Sequence, residues 1–190
     1  KLFKPIEGIP TKNVAKMSRF LMASSLGDQV SSIEDVDTIP LQRNYFEQKI
    51  SLRKNNKVLA VGQEVYGADA YPRFPVSTIT SEGVNFKKIF NPENLNYFDL
   101  FSFWKGIHPK ITKSDFSDEE LISSLITRLE IDNVQYVTRG VDIKKDWIDR
   151  SWWDIDVEKL NNGKYVTCNF HRPFENHVDS FGPIIDYING

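Results

Sequence analysis

Apolar side chains recur at two different periods along this chain, and the switches between them mark out its elements. Over residues 13–26, Val14, Met17, Phe20, Leu21 and Met22 form a broad apolar face at helical spacing, and Gly27 stands where a helix C-terminus takes a left-handed residue. That spacing predicts a first helix. A looser stretch follows to Pro40, carrying Glu34, Asp35 and Asp37. From Tyr45, the alternation of Phe46, Gln48, Ile50 and Leu52 reads as a strand. With Lys54-Asn55-Asn56-Lys57 as the turn and Val58-Leu59-Ala60-Val61 as the return, residues 45–61 read as a hairpin. Residues 69–75 read as a proline-pinned loop, and residues 76–90 as a second hairpin closing at Glu82-Gly83.

Two further helices are marked by their start signals. Asn91-Pro92-Glu93 offers an N-cap residue, a proline at the first helical position and an early acid; Leu95, Phe98, Phe101 and Trp104 then share a face, and Gly106 is the expected stop. Ser117-Asp118-Glu119-Glu120 reads as a capping box ahead of the stripe Leu121, Ile122, Leu125, Ile126 and Leu129. A strand over residues 134–138, an Arg139-Gly140 turn and a short segment over 141–143 come next. Asp154-Ile155-Asp156-Val157-Glu158 alternates like an edge strand with a charged outer face. Asn161-Asn162-Gly163 is a turn, residues 165–170 a strand, and Ile184-Ile185 a last short strand. Strands and helices mix without a regular βαβ alternation. The expected fold class is therefore α+β: a mostly antiparallel sheet built from hairpins, with about three to four helices packed on it. Residues 1–190 read as a single globular domain whose first segment, 1–12, is an extended arm.

Composition changes this picture in two ways. Lys+Arg and Asp+Glu nearly balance at 24 and 26, which argues against a protein that coats nucleic acid. Alanine is scarce, and the residues with AT-rich codons (Phe, Tyr, Met, Ile, Asn, Lys) are abundant, which points to an AT-rich genome, such as that of a low-GC bacterium, a phage or virus, or some protists. No apolar run approaches the roughly 18 residues of a membrane span, so no membrane association is expected. The lone cysteine, Cys168, cannot close an internal disulfide. An intracellular location is expected, with secretion left open.

Three constellations could carry chemistry. Asp132 precedes one strand and Asp142-Ile143-Lys144 sits on the next. Two carboxylates can hold Mg or Mn while a lysine supports the attacking water. This stretch resembles the core of the PD-(D/E)xK nucleases, although it lacks their proline before the first acid. The resemblance implies a metal-dependent nuclease acting on nucleic acid, with Asp132 and Asp142 on the metal and Lys144 beside the nucleophile; Glu119 or Glu120 would offer a third carboxylate. In the second, His171, His177 and Asp179, with Cys168 nearby, form the chain's one grouping of histidine and thiol ligands. Cys168 itself alternates with Val166 and Phe170, as a small core residue does. In the third, Trp147, Arg150, Trp152 and Trp153 concentrate the residue types most enriched at protein interfaces.

The chain has no P-loop, Gly-x-Gly-x-x-Gly, His-Glu-x-x-His, Gly-x-Ser-x-Gly or Cys-x-x-Cys. The leading expectation is thus a non-enzymatic interaction or assembly protein that works through a protein partner or self-assembly. It needs no cofactor. The nuclease is the alternative.

Overall fold

A computed structural model describes residues 4–35, 37–62, 66, 75–128, 133–138, 146–148, 155–171 and 173–189. Helix α1 (Thr11–Ser24) buries Val14, Met17, Phe20 and Ala23, and Gly27 follows it at φ +60°, as the spacing predicts. The looser stretch after it holds two short strands, β1 (Val30–Ile33) and β2 (Thr38–Pro40).

Residues 45–52, read as a strand, are instead most of helix α2 (Arg43–Leu52). The alternation counted Ile50 as inward and Lys49 as outward. The chain does the reverse, leaving Ile50 45 % exposed and burying Tyr45 and Lys49, which are four apart and share a helical face. The Asn55-Asn56 turn survives, with Asn56 at φ +61°, and leads into β3 (Val58–Val61). The second hairpin is likewise half helix. A 3-10 turn (Val76–Thr78) and strand β4 (Ile79–Glu82) pass at Gly83 into helix α3 (Gly83–Phe90), because Phe86, Ile89 and Phe90 lie at i, i+3 and i+4.

Helix α4 (Tyr97–Ile107) starts later than its proline suggested. Its N-cap is Asn96, whose side chain accepts from the amides of Phe98 and Asp99, while Asn91 instead bonds both backbone groups of Leu95 and shapes the preceding loop. Phe98 is left exposed, and the helix runs through Gly106 rather than stopping there. A 3-10 turn (Pro109–Thr112) leads towards helix α5 (Asp118–Thr127), which buries Leu121, Ile122, Leu125 and Ile126 as expected, though the Ser117 side chain makes no cap bond.

The rest comprises β5 (Val134–Val137), β6 (Asp146–Ile148), helix α6 (Val157–Asn161), β7 (Tyr165–Asn169), two 3-10 turns (Phe174–Asn176 and Val178–Phe181) and helix α7 (Gly182–Asn189). Two expected strands do not form among the described residues: of residues 154–158, Val157 and Glu158 open α6, Ile155 and Asp156 precede it outside any strand, and Asp154 lies outside the described residues. Asp156 caps α6 by accepting from the Lys159 amide, and Ile184-Ile185 belongs to α7, where Ile184 is buried and Ile185 is not.

The fold is α+β with seven α-helices among the described residues, more than the three to four expected. Its sheets are mixed rather than mostly antiparallel. A four-stranded sheet runs β1-β4-β3-β5 and a three-stranded one β2-β7-β6; β3 pairs parallel to β5, and β6 parallel to β7. A parallel pair needs a long crossover, which here includes α3, α4 and α5. A hairpin over residues 76–90 would leave no such connection, and α3 supplies its first helix.

Strand β3 divides the core. Its alternate side chains Val58 and Ala60 join the large cluster built by α1, α3, α4 and α5, where Met17, Phe20, Phe90, Phe101 and Trp104 are fully buried. Leu59 and Val61 face Tyr45 of α2, Val137 and Val166. Trp104 buries its ring and still satisfies its indole, donating to the Phe90 carbonyl at 3.0 Å. No helix among the described residues is long and apolar enough to cross a membrane.

Cys168 lies in a third cluster with Ile148, Leu160, Tyr165 and Ile184, as its alternation suggested. Burial pushes its thiol up to about 12, since the thiolate would lose its hydration there. The thiol should therefore resist iodoacetamide at pH 8 in the native protein and react once unfolded. The raised value also fixes the sign of its linkage. Its contribution to stability is full below the ordinary thiol value of 9.0 and is lost as pH climbs towards 12. Rapid native-state alkylation would contradict the buried placement.

Candidate functional site

Asp132, Asp142, Lys144, Arg150, Trp152 and Trp153 lie outside the described residues. The two acids offered as a third metal ligand are engaged elsewhere. Glu119 accepts from the Tyr66 hydroxyl at 2.6 Å, and Glu120 sits 3.3 Å from His108 Nε2 and 3.8 Å from Lys110 Nζ. Trp147, on β6, is half-buried and meets Tyr45 edge to face at 5.8 Å. His171 and His177 are brought together, their rings stacked with centroids 4.6 Å apart, and Asp179 lies in the 3-10 turn after them. Among the described residues, no three His, Cys, Asp or Glu side chains are grouped to hold a metal ion.

Two features emerge that the sequence reading did not single out. The first is a cavity of about 760 Å³ between α1, the end of β1 and the start of α5. Lys12, Lys16 and Arg19 stand at i, i+4 and i+7 on α1 and so share a wall; Glu34 and Asp35 follow β1, and Asp118 opens α5. Arg19 bridges two acids, with Nη1 2.6 Å from Asp35 Oδ1 and Nη2 2.5 Å from Asp118 Oδ2. Lys16 donates to the Phe116 carbonyl at 2.9 Å and lies 3.6 Å from Asp118.

Behind Glu34 stands Lys49, with no exposed side-chain surface. Its ammonium is bonded to Glu34 and, at 2.8 Å, to Ser32 Oγ, and it lies 4.6 Å and 4.7 Å from the ring centroids of Tyr45 and Phe46. Thr80 and Ser32 extend the network across β4 and β1. Burial raises the Glu34 carboxyl above its ordinary range, outweighing the attraction of Lys49. A lysine four residues after a tyrosine on an apolar face was the available signal for this pair. Strand alternation places the two side chains on the outer face and hides it.

The second feature is apolar. On α7, Ile185 and Ile188 are 45 % and 53 % exposed, although Ile184, just before them, is fully buried. Phe174, Val178 and Val157 are also about half exposed, so this C-terminal region carries five of the large hydrophobic side chains left open among the described residues.

Compared with known proteins, the chain matches no family model, no curated protein and no solved structure.

Proposed function

We propose that the protein is an interaction or assembly component, of the kind an AT-rich phage or viral genome encodes, and that it pairs with a second copy of itself through α7. The observation that supports this is the outward Ile185 and Ile188, one helical turn apart on a helix already anchored by Ile184. Two half-exposed isoleucines have apolar surface to remove from water at roughly 25 cal/mol per Å². A short helix with one such stripe can also be self-complementary about a two-fold axis, the commonest oligomer symmetry.

Light scattering after size-exclusion chromatography tests the reading. The wild type should show a dimer mass that falls on dilution, while Ile185→Asp combined with Ile188→Asp should stay monomeric with an unchanged far-UV spectrum. A wild type that remains monomeric at every concentration would remove the reading.

A further inference from the structure

We propose that the cavity between α1 and α5 holds a short peptide with free termini, about two or three residues long, its ammonium end between Glu34 and Asp35 and its carboxylate end against Lys12 and Lys16. The volume, about 760 Å³, is that of a small-molecule site. Ala15 also lines it, a small side chain among long cationic neighbours on the same helix wall.

Charge is distributed along the cavity rather than piled up in it. Arg19, at the acidic end, is held by Asp35; Lys12 lies seven residues earlier on α1, about 10 Å along the axis at 1.5 Å per residue. Open groups mark both ends. Lys12 has no ion pair or hydrogen bond among the described residues. At the other end, Glu34 uses Oε1 for Lys49 and Ser32, and Asp35 uses Oδ1 for Arg19, leaving Oε2 and Oδ2 without a described partner.

This arrangement discriminates among ligand classes. A simple anion at Lys16 meets the Asp118 carboxylate beside it, and a simple cation at Asp35 meets Arg19. A dipolar ligand meets the same neighbours, but one molecule answers both the open cation of Lys12 and the open carboxylate oxygens of Glu34 and Asp35, which a simple ion cannot do. The charges of a free α-amino acid are too close together to span the distance, whereas an extended peptide gains about 3.3 Å per residue.

Calorimetric titration with triglycine at low ionic strength is the test. Triglycine should bind, and N-acetyl-triglycine and triglycine amide should each bind about tenfold more weakly, one charge-assisted contact being lost in each. Ala15→Phe puts a large ring into the lining without removing a charge and should abolish the heat while leaving thermal unfolding unchanged. Lys12→Gln, at an exposed position, should weaken binding about tenfold and gives the same answer if the phenylalanine is not tolerated. Absence of heat with triglycine at millimolar concentration, equal binding of the capped peptides, or wild-type binding by Lys12→Gln would each overturn the proposal.

Discussion

Gly83→Ala is expected to destabilise the fold by about 3 kcal/mol, seen as a lower urea midpoint at unchanged slope. An added Cβ would stand 2.8 Å from three atoms: the carbonyl oxygen of Ala23 and the amide nitrogen and carbonyl oxygen of Gly27. All three are backbone, so no side chain can rotate out of the way. The close approach is used, because the first amides of α3 donate to this same turn: Gly83 N–H to the Gln29 carbonyl at 3.1 Å and Val84 N–H to the Gly27 carbonyl at 2.8 Å. These bonds satisfy donors that every helix N-terminus leaves open. They also set the distance at which α3 packs on α1, where Phe20 and Phe90 meet with centroids 4.7 Å apart. An alanine pushes the helices apart and loosens both the bonds and the ring contact. Gly106→Ala is the control. It has nothing within 4 Å of its added methyl, lies exposed inside α4, and should stabilise by about 0.5–1 kcal/mol through helix propensity alone. Equal effects at the two glycines would show that the contact at Gly83 does not constrain the packing.

That junction also shows where reading the sequence stops. Glu82-Gly83 looks like a hairpin turn because glycine is the usual turn residue. Its role here is close backbone approach, which depends on a partner dozens of residues away. The elements that were legible are those whose burial is one-sided and local. Helix α1 and helix α5 each bury a stripe at helical spacing; β7 was legible on another ground, as a short run buried on both faces in the middle of its sheet. The misread segments are short ones in which both periods fit. Over residues 45–52 the alternation and the i, i+4 spacing share most of their apolar positions. The choice turns on whether Lys49 or Ile50 goes inside, and tertiary charge pairing decides it. Asn91-Pro92 satisfied every rule for a helix start, yet Asn91 closes a loop on Leu95 and Asn96 performs the capping. The cavity was invisible for the same reason, since it joins Arg19, Asp35 and Asp118 from three separate elements.

Glu34→Ala is expected to cost about 3–5 kcal/mol, because it takes away the carboxylate bonded to the fully buried Lys49 ammonium. Ser32 Oγ, at 2.8 Å, and the faces of Tyr45 and Phe46 are uncharged partners of the same ammonium. The reverse deletion should be milder. In Lys49→Met the apolar stem is kept, and Glu34, 22 % exposed towards the cavity, can be reached by water. Combining Lys49→Met with Glu34→Gln removes both charges and should recover most of the loss, since desolvation of a buried pair offsets much of its attraction. The direction of the Glu34 shift agrees, because burial lifts the carboxyl above its ordinary 4.5 even with Lys49 bonded to it. By linkage, the contribution of Glu34 is full below that value and is lost as pH rises through the higher, folded value. Urea unfolding across mildly acidic to neutral pH should therefore show a downward component in the wild type that is absent from the double variant. A Glu34→Ala cost below about 1 kcal/mol would mean that the pair holds nothing; a double variant as unstable as the worse single would mean that the charges stabilise the fold outright. Either result would change the account of why α2 is a helix, since Lys49 is the residue that its burial has to accommodate.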